Sequence, residues 1–180
     1  GNNATGAFVG RKFKTETAEM ALDSVTLTTH GDNSRGIWAE AGADLSAENS
    51  VIRTMGAGST GALVNNTATL SLNKTGITTS GELAHGILAS NGGSVFAENT
   101  IATTQGDGAA ALAVQGSETQ PGKASISNTI LSSNHGYGIE TTGYADIDMQ
   151  NSRVNGESQW LQVKNGSGAV PGNASVEMSG

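Results

Sequence analysis

The chain has 180 residues, of which 26 are glycine, 4% aromatic, 14% charged and none cysteine, and its formal net charge is −7. That length suits one domain, and the glycine content is about twice the usual ~7%. Without a Gly-X-Y period, an apolar run of ~18 residues or a large basic cluster, collagen, a membrane span and nucleic-acid binding are excluded, and the missing cysteines exclude a disulfide scaffold and a thiolate metal site.

Taken in order, the predicted elements are short segments in which apolar and polar residues alternate, the period of a strand. Phe8 stands between Ala7 and Val9 after Gly6, Ile37-Trp38-Ala39 follows Gly36, and Leu45-Ser46-Ala47, Ile52-Arg53-Thr54 and Ala62-Leu63-Val64 come next. Three such segments fit in each 25 residues, and the pattern then repeats. Met20, Leu45, Leu70 and Val95 form one series at that step, Leu27, Ile52, Ile77 and Ala102 a second, and Ile37, Ala62, Ile87 and Leu112 a third. Gly31, Gly56, Gly81 and Gly106 keep the same spacing, as do Thr29, Thr54, Thr79 and Thr104. Beyond residue 112 the register loosens; Ile126, Ile147 and Val176 are read as continuing the first series at steps of 31, 21 and 29. Pro-Gly-containing loops at 115–123 and 164–173 are expected to absorb the long steps.

Parallel pairing of like segments 25 residues apart requires the chain to return to its start in every repeat. A parallel β-helix does this. The expected fold is therefore all-β, one domain over 1–180, with three strands per coil, about 25 residues per coil and roughly seven coils. The threonine file is expected inside at a corner, its hydroxyls bonding one another along the stack. Among outward positions, Asp23, Glu48, Asn73 and Glu98 form a file expected to be solvated. A second file is apolar: Phe8, Trp38, Leu63 and Leu88 are expected to face out as a ridge that binds a ligand or a second copy.

The candidate chemistry is thin. Asp146 and Asp148, at i and i+2 of one strand, are expected to face outward together, the arrangement a glycosidase would need, but they also fit the solvated side of a one-sided strand. His30, His85 and His135 lie near glycines at separated coils, so no metal site is expected. Neither a G-x-S-x-G elbow nor a phosphate-loop lysine is present, and no cofactor is expected.

The recurring phrase T-x-G-x-x-x-x-G-[IA], seen from Thr29 to Ile37 and from Thr79 to Ile87, resembles pertactin-like autotransporter passenger domains. The resemblance covers nearly the whole chain and includes Gly92-Gly93-Ser94-Val95 to Asn99-Thr100-Ile101. It implies a right-handed parallel β-helix, part of a longer passenger, exported through a bacterial outer membrane and displayed at the cell surface or secreted. The expected role is that of a non-catalytic adhesin, with a host surface or matrix molecule, or a second passenger, as partner and no membrane insertion of this segment. The two Gly-Asp pairs follow His30 and Gln105, so the Arg-Gly-Asp tripeptide of some family members is absent. A polysaccharide-degrading β-helix or tailspike, and a structural spacer stalk, are the alternatives.

Overall fold

A computed structural model of the chain describes residues 1–13 and 15–164 and the backbone of a last strand over 174–179. The described strands form three parallel sheets of seven, seven and six members, with no helix among them. Each coil contributes one strand to each sheet in turn. The first coil supplies Thr5–Gly10, Glu19–Asp23 and Thr26–Thr29, and the seventh supplies Gln159–Lys164 and Ala174–Ser179. Like strands of the early coils pair in register 25 residues apart, as in Leu45 beside Leu70 and Leu70 beside Val95, except for the first pair of the first sheet, where Phe8 meets Trp38 30 residues on. The molecule is a parallel β-helix.

The core is one continuous stack. Ile37, Ile52, Leu70, Ile77, Ile87, Leu112, Leu131, Ile139 and Ile147 are all almost wholly buried, with alanines filling the narrower places between them. Between the second and third sheets the chain turns sharply at one residue per coil. Ser24, Asn49, Lys74, Asn99, Asn128 and Asn151 occupy that place with φ between 48° and 57°. Asparagine tolerates this left-handed conformation better than most side chains, which is why it recurs there. The next residue in the chain adds a second device: the hydroxyls of Ser50, Thr129 and Ser152 each accept the backbone N–H of the corresponding corner in the preceding coil. At the corner before the first sheet the coils approach so closely that a Cβ on Gly81 would lie 1.9 Å from the carbonyl oxygen of Gly56. Only glycine fits that file.

Two expectations are corrected by the coordinates. The threonines at the third-sheet corner are buried, but they bond the backbone instead of one another. Thr54 and Thr79 donate to the carbonyls of Ser59 and Ala84, five residues on, while the Oγ1 of Thr29 has no partner. In the second sheet, Val95 pairs with Ala124, whereas Ile126 pairs with Ala97. The insertion thus lengthens its coil by four residues, from 25 to 29, and Ile126 belongs to the neighbouring inward file. Both Ala124 and Ile126 face the core, so a slip of two keeps the same face inward and escapes an alternation test.

The first insertion is compact. The strand Ala110–Gly116 runs on into a short antiparallel bridge between Ser117 and Gln120, and the second-sheet strand starts at Gly122. The expected loop at 164–173 falls, apart from Lys164, outside the described residues.

Candidate functional site

The outer face of the first sheet carries the apolar file. Phe8, Trp38, Leu63 and Leu88 are direct partners on four successive coils, while Ile37 and Ala39 beside Trp38 are fully buried. The inward and outward assignment of these strands therefore holds. Their exposure does not match four free side chains. Phe8 is 47% exposed, Trp38 and Leu88 are half-buried, and Leu63 is only 6% exposed. Leu63 lies between Trp38 and Leu88 in the file.

Trp38 is held by three partners. Its ring lies 4.7 Å from that of Phe8 at a tilt of 57°, an edge-to-face-like geometry suited to the ring quadrupoles. The Arg35 guanidinium sits 4.5 Å above it, within reach of a cation–π attraction. Its Nε1–H donates to the Oδ1 of Asn65, on the next coil, at 3.2 Å. Arg35 and Trp38 reach the same face because Gly36 and Ile37 between them both turn inward; a Cβ on Gly36 would strike Ile52 in the core. Beyond Leu88 the file runs on through buried Ala113 and Glu140, which is paired with Lys164 at 2.9 Å, to Gln162. The ridge is thus a short aromatic and cationic cluster at one end of the sheet.

His85 lies on this same face. Its Nδ1 accepts the N–H of Ala110 from the next coil at 3.0 Å. Burial pushes its pKa below the usual value; the Glu140 carboxylate opposes that shift and the Lys164 ammonium adds to it. His30 and His135 are exposed elsewhere, and His135 faces Glu157 at 2.9 Å. Among the described residues, no three His, Asp or Glu side chains are grouped so as to hold a metal ion.

Among carboxylates carried on strands, most lie on the second sheet. In its acidic file, amides relieve the crowding: Asn49 donates to Asp23 and Asn73 donates to Glu48, each at 3.2 Å. Asp146 and Asp148 face outward and are exposed, on a strand whose Ile147 and Met149 are buried. They line a groove of about 180 Å³ with Phe96, Lys123, Ser94 and Ser125. This grouping is not legible from the 25-residue step, because Phe96 falls in one file with Ser125 and, one coil further, Asp148 only through the lengthened coil.

The fold defines a parallel β-helix repeat protein. The chain matches no family model, and no curated protein is significantly similar to it.

Proposed function

We propose that this β-helix is a passenger segment of a bacterial autotransporter, displayed at the cell surface or released from it, that acts as a non-catalytic adhesin. The observation that carries this reading is the Phe8–Trp38–Arg35 cluster on the outer face of the first sheet. Aromatic and arginine side chains dominate binding hot spots, and a half-exposed Phe8 (47%) packed on a fixed indole offers a rigid apolar anchor at small entropic cost. The pertactin-like phrase at Thr29–Ile37 and Thr79–Ile87 supports the family part of the reading, and the 25-residue coils agree with it. The partner is a host-surface or matrix molecule, or a second passenger.

Phe8→Lys tests the proposal in the full-length protein. Attachment of cells displaying it, or their mutual aggregation, falls about tenfold, the equivalent of ~1.4 kcal/mol, while the amount displayed and the circular dichroism stay as in the wild type. Unchanged attachment and aggregation by a folded Phe8→Lys protein would remove this cluster as the adhesive surface.

A further inference from the structure

The groove on the second sheet has a composition unlike the ridge. Phe96 is 51% exposed at its edge, and its partners on the two neighbouring coils are Ser71 and Ser125. With small residues on both sides of it in the file, the ring stays half open to solvent. On one side lies the groove of about 180 Å³ with Lys123, Asp146 and Asp148. On the other lies a second hollow of about 350 Å³ that also includes Phe96 and Ser125, together with Ser71, Asn73, Glu98 and Ser127. The two hollows share the aromatic wall, and the larger, at about 350 Å³, falls within the ~300–1,000 Å³ of small-ligand sites.

The charges in the groove narrow the choice of occupant. Asp146 and Asp148 repel a phosphate, a sulfate or an acidic sugar. Lys123, paired in register with Asp146, offsets only one of the three carboxylates, Asp146, Asp148 and Glu98, that line the two hollows. Hydroxyls, carboxylates and one ammonium around an apolar floor complement a ligand that is uncharged, rich in hydroxyls and apolar on one face. A pyranose ring has that character. Its axial C–H bonds point toward the negative face of an aromatic ring, while its hydroxyls donate to carboxylates and serine oxygens and accept from an ammonium.

We propose that the Phe96 trough binds a neutral oligosaccharide, with one sugar ring stacked on Phe96 and its hydroxyls bonded to Asp148, Lys123 and Ser125. The paired hollows accommodate at least two consecutive rings, one on either side of the phenyl group. This site is on a different sheet from the Phe8–Trp38 cluster and stands or falls independently of it.

The test is a titration of the isotopically labelled chain with a panel of neutral hexasaccharides, the gluco-, manno- and galacto-configured series, followed by amide NMR. Sialyllactose, a heparin hexasaccharide and spermidine serve as charged comparators. At least one neutral hexasaccharide is expected to shift the amides of Ser94–Glu98, Lys123–Ser125 and Asp146–Asp148, with an affinity that high salt leaves unchanged. Phe96→Ala weakens that binding by about tenfold or more, Phe96→Trp restores it, and Phe8→Lys leaves it unaltered. No shift with any neutral sugar overturns the proposal. So does tighter binding of a charged comparator at the same residues, or full binding by a folded Phe96→Ala protein.

Discussion

Trp38 and Asn65 are joined across one coil: the indole N–H of the first donates to the side-chain oxygen of the second at 3.2 Å. This bond, the Arg35 contact and the Phe8 ring fix an otherwise outward-facing side chain against the sheet. Trp38 therefore contributes to stability as well as to the surface. Trp38→Lys is expected to lower stability by about 1–3 kcal/mol, from a lost hydrogen bond, a lost ring contact and uncovered Leu63. It leaves the β-helix intact, because the core residues beneath are untouched. Urea denaturation measures the loss, and a chain that fails to fold would contradict this placement of Trp38 on the outer face.

Ile52 sits in the middle of the inward stack, 1% exposed and paired in register with Leu27 and Ile77. Ile52→Asp places a carboxylate among apolar side chains with no cation on the neighbouring inward positions. The expected cost is several kcal/mol, in the range that single substitutions seldom reach. A melting temperature within a few degrees of the wild type's would be incompatible with the stack.

The neutral form of His85 is the one that accepts the Ala110 N–H. Because the folded pKa is lowered by burial from its ordinary 6.5, the unfolded chain takes up the proton first as pH falls. The stability tied to neutral His85 is whole above pH 6.5 and is lost as pH drops from there toward and through the folded value. The denaturation midpoint of the wild type is expected to fall across that window more than that of His85→Gln, whose amide oxygen can accept without titrating. Parallel pH profiles for the two proteins would refute the assignment.

Lys74 breaks the asparagine file at the sharp turn, holding φ of 48° where Asn49 and Asn99 hold 50°. A lysine gains nothing from that conformation, whereas asparagine tolerates it at lower steric cost. Lys74→Asn is expected to stabilise the protein by about 0.5–1 kcal/mol, read as a higher melting temperature. Asn99→Val, with a β-branched side chain in the same conformation, should lower it by at least as much.

The repeat step, the three strands per coil and the identity of the inward files were legible in the amino-acid sequence because each depends on a local rule. Alternation selects a face, glycine and asparagine mark the turns, and stacking demands like residues at like places. Gly81 and Ile52 each satisfy such a rule, and the apolar file from Phe8 to Leu88 was found in the same way.

Tertiary structure alone decided two other matters. The first is register after an insertion: Ala124 and Ile126 are both buried, so alternation admits either beside Val95, and only the ladder of backbone hydrogen bonds between coils selects Ala124. That selection brings Phe96, Lys123, Asp146 and Asp148 to one groove. The second is exposure within an outward file. Leu63 points away from the core yet is almost covered, and Phe8 in the same file is half open, because solvent access depends on how neighbouring side chains lean. The bond from Trp38 to Asn65 is one such contact, and its partners are 27 residues apart in the chain, beyond the reach of any local pattern.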